Sequence, residues 1–319
     1  MDGAHQLSGQ AGHDHAPFVH EALYYRGDGD FLTGTVRFVR AALAMGDSVL
    51  VAVPEPRLSL LRSELADVDG AVRYVNMAEA GRNPNRILPW VLRAFLEEQS
   101  PRRVSIIGEP IYVGRSAEEI APCVQHEALI NVAFSGIDAT ILCPYDVAAL
   151  ADIVPYAEGT HPVVIEDGGR RASVGYTEPH TVVATLNRPL PEPRRVDAVL
   201  DFDAEGLAGV RRLIGKHADD AGLAERSVDL QLAVTEVGTN AVTHAGARAG
   251  ATLRLWREAD RVVCEVRGAG EIVDIMAGRI VPAPDSPRGR GLLIANRLCD
   301  LVQTYTMPAG TITRLHMRL

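Results

Sequence analysis

The chain has 319 residues, of which 47% are hydrophobic, and this length is enough for two domains of ordinary size. Acidic residues outnumber basic ones by 41 to 32, and the resulting net charge of −9 argues against direct binding to nucleic acid. The sequence has neither a run of about 18 apolar residues, as a membrane span requires, nor a secretion signal at its start. We therefore expect a cytoplasmic protein that contacts neither nucleic acid nor membrane.

The cysteines and the single lysine exclude further classes of protein. Four cysteines are widely spaced without a C-x-x-C pair, which favours reduced, buried thiols over a disulfide framework or a zinc site. The only lysine is Lys216, so no G-x-x-x-x-G-K-[ST] phosphate loop exists. A kinase-type strand lysine and a Schiff-base lysine are also absent from the first two hundred residues.

In chain order, residues 1–17 are polar and glycine-rich without periodicity, which predicts a mobile tail. Helical and strand patterns then alternate between about residues 20 and 180. Helices are predicted at 30–45, 56–66, 85–98, 117–131 and 146–153, and strands at 48–53, 73–75, 104–107, 140–143 and 163–165. This alternation predicts an α/β domain with a largely parallel sheet over residues 18–186.

Several polar residues of this region are candidates for a pocket. Glu109, Tyr145 and Asp146 lie in or beside loops at the carboxyl ends of predicted strands, where ligands of such sheets usually bind. With His126 they are predicted to converge on one pocket. His126 and Glu127 also resemble the phosphoacceptor box of histidine kinases, but the proline expected shortly afterwards is missing. We interpret His126 as a packed or hydrogen-bonded histidine.

A proline-rich stretch at 187–195 predicts an extended linker to a second domain at 196–319. Helices are predicted there at 204–221, 227–245 and 290–300, and strands at 251–257, 261–267, 301–306 and 311–318. This order predicts an α+β sandwich with its helices on one face of a mixed sheet.

Three polar residues of the predicted helix 227–245 stand four positions apart. Glu236, Asn240 and His244 therefore share one stripe of that helix. An amide oxygen suits coordination of Mg²⁺ by Asn240, and the carboxylate of Glu236 suits orientation of a nucleophile. A solvated polar stripe on an amphipathic helix is the simpler interpretation of the helix taken alone.

Two pairs of glycines, at 268 and 270 and at 289 and 291, follow this helix in the sequence. Glycines that open a helix expose backbone N–H groups, which can bind phosphate oxygens. In order along the chain, the further candidates for binding a nucleotide are Gly268, Gly270, Gly289, Gly291, Leu292 and Thr311. The order of these residues after Glu236 and Asn240 favours a nucleotide site over a plain polar helix face.

In these motifs the sequence resembles the GHKL superfamily of ATPases and, within it, the anti-sigma-factor serine kinases of bacteria. The resemblance covers residues 196–319 and implies ATP and Mg²⁺ as cofactors. It implies that Glu236 is the general base and Asn240 the Mg²⁺ ligand of the N box. Gly270 then belongs to the first glycine box, Gly289 and Gly291 to the second, and Thr311 to the neighbourhood of the adenine.

One position departs from that family. The aspartate that normally binds the adenine amine is replaced by Gly268, and the spacing of Glu265 or Glu271 does not suit either as a substitute. Losing a hydrogen bond to a charged acceptor costs about 1.5–3 kcal/mol. That cost is roughly a ten- to hundred-fold loss of affinity. We expect ATP binding to be weakened or lost.

The first domain also contains strings typical of a family. They are HEALYY at 20–25, GRNP at 81–84, GEPIY at 108–112, HEALIN at 126–131 and CPYD at 143–146. In these strings it resembles the MEDS sensory domain, which occurs in actinobacterial regulators fused to an ATPase-like module. The resemblance implies a RecA-like α/β fold without a working phosphate loop, in agreement with the missing lysine.

Three functional hypotheses follow from both resemblances. The first is a regulator of transcription that binds a sigma factor or an anti-sigma-factor antagonist, with a degenerate ATP site controlled by the sensory domain. The second is an active ATP-dependent serine/threonine kinase that phosphorylates such an antagonist. The third is a small-molecule sensor whose ATPase-like module serves only for dimerisation. Intact Glu236 and Asn240 favour the kinase, whereas Gly268 favours the binding protein, and a homodimer is compatible with the fold.

Overall fold

The computed structural model describes residues 18–244, 250–283 and 289–319. The predicted mobile tail at 1–17 lies outside these ranges and stays a prediction. The described residues form two separate sheets, one of seven strands and one of five. The predicted division into an α/β region followed by an α+β region is therefore confirmed at the level of its sheets.

The first sheet is built from the first half of the chain. Its strands are β1 (Val19–Tyr25), β2 (Ser48–Val53), β3 (Val72–Asn76), β4 (Val104–Gly108), β5 (Ala139–Asp146), β6 (Val163–Glu166) and β7 (Gly169–Ala172). They are ordered β3-β2-β4-β5-β1-β6-β7, and neighbours are parallel except in the β6–β7 hairpin. The expected parallel-rich sheet is thus present.

Helices cover both faces of this sheet. They are α1 (Gly27–Ala44), α2 (Arg57–Glu64), α3 (Met77–Ala80), α4 (Arg93–Gln99), α5 (Ala117–Ala133), α6 (Val154–Thr160) and α7 (Pro179–Leu186). Helices α1 and α2 pack on one face and α4 and α5 on the other, because alternate strand residues point to opposite sides. Helix α5 begins at a capping box in which Ser116 and Glu119 exchange side-chain and backbone hydrogen bonds.

One predicted helix of this domain was wrong in position. The helix expected at 146–153 begins later, because Asp146 ends β5 and only a short 3₁₀ turn at Ala151–Ile153 precedes α6. Pro155 stands in the first turn of α6, where the missing N–H costs no helical hydrogen bond. The helix expected at 85–98 is present as a continuous helical run, in which a 3₁₀ turn (Pro84–Arg86) and a π-helical stretch (Leu88–Leu92) precede α4.

The junction of β1 and α1 is where a phosphate loop would lie in a nucleotide-binding α/β domain. Only Arg26 separates the end of β1 from Gly27, the first residue of α1. A single residue cannot wrap around a phosphate group. The junction thus agrees with the missing P-loop lysine.

The second sheet comes from the end of the chain. Its strands are β8 (Ala198–Phe202), β9 (Ala251–Arg257), β10 (Arg261–Gly268), β11 (Leu301–Met307) and β12 (Gly310–Arg318), and its helices are α8 (Leu207–Ala221), α9 (Ser227–Thr243) and α10 (Gly291–Leu298). The strands are ordered β11-β12-β10-β9-β8 and every neighbouring pair is antiparallel. The predicted mixed sheet was wrong, because β12 inserts between β10 and β11 and is antiparallel to both.

The three helices of this domain pack against the sheet around a core that includes Val210, Leu230 and Leu253. Strand β8 was not predicted, although it begins with the apolar run Ala198–Leu200, and in the structure its residues alternate between half-buried and exposed positions. Residues 187–197 between α7 and β8 contain neither helix nor strand.

Candidate functional site

Helix α9 supplies the polar stripe of the second domain. Ala233, Val234 and Val237 are buried against the sheet, which leaves Glu236 half-buried and Asn240 exposed at the rim. Glu236 and Asn240 therefore lie one turn apart, as the spacing predicted.

Most of the predicted nucleotide-binding residues surround one cavity. Its lining includes Asn240, His244, Gly268, Gly270, Leu292 and Thr311. The cavity has a volume of about 90 Å³. Sites for small molecules usually measure roughly 300–1,000 Å³. The chain brings six of the nine predicted residues together, but the cavity is too small for ATP in this conformation.

Of the other three predicted residues, which do not line this cavity, Glu236 and Gly291 lie next to Asn240. Gly291 is the first residue of α10, and a Cβ placed there would lie 2.6 Å from Asn240 Nδ2 and 3.3 Å from the carbonyl oxygen of Glu236. The start of α10 therefore touches the polar stripe of α9. Gly289 has a φ of 94°, which favours glycine, and it adjoins residues 284–288 outside the described part of the chain.

Close packing explains the glycines at the end of β10. A Cβ at Gly268 would lie 2.7 Å from the Cβ of Ala241, and one at Gly270 would lie 2.9 Å from the Cβ of His244. Both neighbours belong to the end of α9, so neither can move without the helix. An aspartate at position 268 would therefore push α9 from the sheet.

The two carboxylates considered as substitutes differ in their surroundings. Glu265 is buried and bound by Arg314 at 2.6 Å, Arg267 at 2.8 Å and Arg254 at 2.9 Å. Burial raises its pKa, but the hydrogen bonds from Arg314 and Arg267 outweigh burial and lower the pKa below its usual value. Glu271, by contrast, lines the cavity and is exposed. Glu265 is therefore a structural ion-pair residue, and of these two carboxylates Glu271 is the one that lines the cavity.

The hydroxyl of Thr311 is already engaged. It donates to the carbonyl oxygen of Gly270 at 2.7 Å and lies 3.0 Å from the hydroxyl of Thr306. Thr306 in turn accepts from the backbone N–H of Ile272 at 3.1 Å. This pair of threonines fastens the chain after Gly270 to the β11–β12 hairpin.

Segment 272–283, which follows Gly270, is held against the first domain. Arg279 donates to Gln125 of α5 at 3.0 Å, and Met276 packs on the core of the first domain. Gly278 accepts a hydrogen bond from Asn296 of α10 at 2.9 Å. The segment between the two glycine motifs is thus attached to α5 and α10.

Comparison with protein families agrees with this geometry. Residues 19–162 match the family model described as MEDS, the methanogen/methylotroph DcmR sensory domain. Residues 200–317 match the model of the histidine kinase-like ATPase domain. The chain is a MEDS domain followed by a histidine kinase-like ATPase domain. No curated protein matches the chain significantly. Among the described residues, no helix is both long and apolar enough to cross a membrane.

A buried cluster of asparagines joins the MEDS domain to the ATPase domain. Asn83 donates to the backbone carbonyl of Asn296 at 2.9 Å, and Asn85 donates to the carbonyl of Val302 at 3.0 Å. All three asparagines are buried, so these hydrogen bonds replace contacts with water. No sequence pattern predicted this contact, although GRNP at 81–84 is one of the strings in which the chain resembles MEDS domains.

Charged and aromatic contacts surround these asparagines. Arg82 lies 2.9 Å from Asp300, and the guanidinium of Arg297 stacks 4.5 Å from the ring of Trp90. Arg115, just before α5, donates to the carbonyl of Gly81 at 2.7 Å. The segment around 81–86 thus connects α5 of the MEDS domain to α10 of the ATPase domain.

The predicted pocket of the MEDS domain forms only in part. Arg57 lies 2.9 Å from Asp146 and 3.6 Å from Glu109, which accepts a hydrogen bond from Tyr25 at 2.8 Å. Burial raises the pKa of Glu109 to about 8, although the hydrogen bond from Tyr25 and the charge of Arg57 oppose it. Glu109 and Asp146 therefore converge, as expected.

The other two residues expected in that pocket lie elsewhere. Tyr145 precedes Asp146 on β5, so its side chain points to the opposite face of the sheet, where it donates to Glu127. His126 is buried on α5, and burial lowers its pKa to about 4. A buried neutral histidine agrees with the interpretation of His126 as a packed residue.

Proposed function

We propose that this chain is a signalling regulator in which the MEDS domain controls whether the ATPase domain can accept ATP or a protein partner. In this proposal the ATPase domain acts as an anti-sigma-factor-like binding module. Its partner is a sigma factor, an anti-sigma-factor antagonist or both, and regulation of transcription is its biological role. The net charge of −9 supports a route through another protein instead of direct contact with DNA.

The observation that carries this proposal is the attachment of segment 272–283 to α5. The segment follows the first glycine motif, and the cavity beside it measures only about 90 Å³. Because Arg279 binds Gln125, a shift of α5 would change the position of this segment. A signal received by the MEDS domain therefore has a direct route to the cavity.

We further infer that the MEDS domain has a RecA-like fold without a phosphate loop. Its seven-stranded, parallel-rich sheet and the single-residue junction between β1 and α1 support this inference. On this basis the domain recognises its signal at a site other than a nucleotide phosphate cradle.

An active serine/threonine kinase is the second candidate. It is favoured by Asn240, which is exposed one turn from Glu236 and touches the start of α10 at Gly291. In that case Asn240 would bind Mg²⁺ and Glu236 would act as general base once the cavity had opened. A small-molecule sensor with a purely dimerising ATPase domain remains the third candidate, and a monomer by light scattering would reject it.

Calorimetric titration with ATP and Mg²⁺ separates the first two candidates. The binding-module proposal expects no binding by the wild type at millimolar ATP. It also expects a stoichiometric complex with a sigma factor or antagonist in the absence of ATP. Micromolar binding that Asn240→Ala abolishes would instead support the kinase. Failure to bind any sigma factor or antagonist of the source organism would reject the proposed role.

A second variant tests the control by α5. Gln125→Ala removes the acceptor for Arg279, so we expect segment 272–283 to detach and ATP binding to become measurable in the same titration. Adding Asn240→Ala to this variant should abolish the gain. Unchanged affinity in Gln125→Ala would show that attachment to α5 does not close the cavity.

A further inference from the structure

Four side chains with metal-binding atoms meet in the core of the MEDS domain. They are His20 of β1, Glu127 of α5, Cys143 of β5 and His161, which follows α6 directly. One ligand atom from each lies within 4.8 Å of all the others, and every one of the four residues is at most 2% exposed. These residues lie far apart in the sequence, and four different elements of the fold bring them together.

The tautomer of His161 is determined by its surroundings. Its Nδ1 lies 2.9 Å from the carbonyl oxygen of Ala157. A carbonyl oxygen only accepts hydrogen bonds, so Nδ1 carries the proton. In the neutral ring the lone pair is then on Nε2, which has no hydrogen-bond partner although it is buried. That lone pair points into the cluster, where Glu127 lies 3.5 Å away.

The same reasoning applies to His20. The amide nitrogen of Asn131 donates to the carbonyls of Ala128 and Thr160, so its oxygen faces Nδ1 of His20 at 3.1 Å. Nδ1 of His20 thus donates, and its Nε2 presents a lone pair to the cluster.

With both imidazole rings neutral, hydrogen bonding alone leaves this cluster unsatisfied. The Cys143 thiol has one proton, and it lies 3.3 Å from Glu127 and 3.5 Å from Nε2 of His20. One proton cannot serve two imidazole lone pairs and a carboxylate. Buried polar atoms without partners are rare, because each costs about 1–3 kcal/mol.

We propose that His20, Glu127, Cys143 and His161 bind one divalent transition-metal ion, with zinc as the best match. Zinc binds imidazole nitrogen and carboxylate oxygen at about 2.0–2.2 Å and thiolate sulfur at about 2.3 Å, usually as a tetrahedron. Such bond lengths place neighbouring ligand atoms about 3.3–3.7 Å apart. Four of the observed separations lie between 3.3 and 3.5 Å.

Charge and outer contacts also suit a divalent ion. One thiolate and one carboxylate balance two positive charges, so the buried site carries no uncompensated charge. Metal-bound histidines commonly donate their other N–H to an acceptor, as His20 and His161 do to Asn131 and Ala157. The hydroxyl of Tyr145 holds the second oxygen of Glu127 at 3.1 Å. Four protein ligands without solvent access indicate a structural or sensory metal instead of a catalytic one.

Cobalt titration of the full-length chain, after removal of bound metal, tests this proposal. Co²⁺ substitutes for zinc and gives a thiolate charge-transfer band when sulfur coordinates it. We expect saturation at one equivalent, with the band displaced by Zn²⁺. Cys143→Ser should lose the band, and His161→Gln should weaken metal binding at least about tenfold.

Two matched control variants lie in the same domain. Cys123→Ser changes another buried cysteine, whose thiol donates to the carbonyl of Pro110, and His126→Gln changes the buried histidine next to Glu127. Both should bind cobalt as the wild type does. If Cys143→Ser fails to fold by circular dichroism, the wild-type spectrum with the two controls still decides the question.

Three results would overturn the proposal. The first is a folded wild-type chain that takes up less than about a tenth of an equivalent of metal, which would leave a protonated ion pair as the explanation. The second is a cobalt spectrum without a thiolate band, as expected for an ion bound elsewhere in the chain. The third is equal loss of binding in Cys123→Ser and Cys143→Ser.

Discussion

The candidate sites of the two domains arrange their polar groups in opposite ways. The MEDS domain buries two histidines, a glutamate and a cysteine where apolar side chains usually pack. The ATPase domain instead keeps Asn240 and Glu271 exposed around a small cavity, which glycines and the end of α9 enclose. Polar groups buried in a core need a fixed hydrogen-bonding or charged partner. Polar groups at an exposed rim can form hydrogen bonds with water until a ligand binds.

Helix α5 takes part in both arrangements. It carries Glu127 in the buried cluster and, two residues earlier, Gln125, which holds Arg279 of the ATPase domain. Because a helix moves largely as a unit, we expect a change at the cluster to alter the position of segment 272–283. The buried cluster and segment 272–283 are therefore attached to the same helix.

The largest expected effect is a loss of stability when a substitution disturbs the tight packing at the ATPase cavity. Gly268→Asp places a Cβ against Ala241 and buries part of a carboxylate, so we expect a loss of about 3 kcal/mol in unfolding free energy. Urea denaturation measures this loss. Gly209→Asp is the control in the same domain, because its nearest neighbour is the end of the Arg212 side chain at 3.8 Å. Equal stability of the two variants would show that α9 adjusts without cost.

An intermediate effect is expected at the contact between the domains. Asn296→Ala removes an acceptor for Asn85 and the donor to Gly278, so unfolding free energy should fall by about 2 kcal/mol. The exposed Asn240→Ala should change stability little and serves as control. Hydrogen exchange should also rise in segment 272–283 of the Asn296 variant. Unaltered exchange there would show that the asparagine cluster does not help to hold that segment in place.

The third effect is a dependence of stability on pH in the MEDS domain. The folded pKa of Glu109 is about 8, above the ordinary value of about 4.5, so the folded state binds the extra proton between those values. The contribution of Glu109 to the unfolding free energy of the wild type should therefore fall as pH rises from about 4.5 to 8. Glu109→Gln keeps the acceptor for Tyr25 but does not titrate. Its stability relative to wild type should rise across that window, and parallel curves for the two proteins would contradict the assignment.

Much of the fold could be predicted from local patterns. The strand at 48–53 and the strand at 251–257 were predicted with the bounds that the structure has. The five-residue strand β8 was not predicted. The position of the prolines also did not predict that α6 begins only at Val154. The antiparallel order of the second sheet depends on where β12 inserts, and no local pattern contains that information.

The candidate sites divide in the same way. Helical spacing predicted that Glu236 and Asn240 share a stripe, and the glycine order predicted which loops meet them. By contrast, no spacing rule relates His20 to Glu127, Cys143 or His161. Metal-site patterns depend on ligands that are close in the sequence, so the wide cysteine spacing argued against zinc.

The sequence by itself determined the classes of the two domains, the missing phosphate loop and the stripe on α9, because these depend on residue type and short spacing. Only the tertiary structure decided which face of β5 carries Cys143 and Tyr145 and that α5 binds segment 272–283. It also decided that the nucleotide residues enclose a cavity of only about 90 Å³. These features depend on how distant elements pack, and packing is a property of the whole fold instead of any one segment.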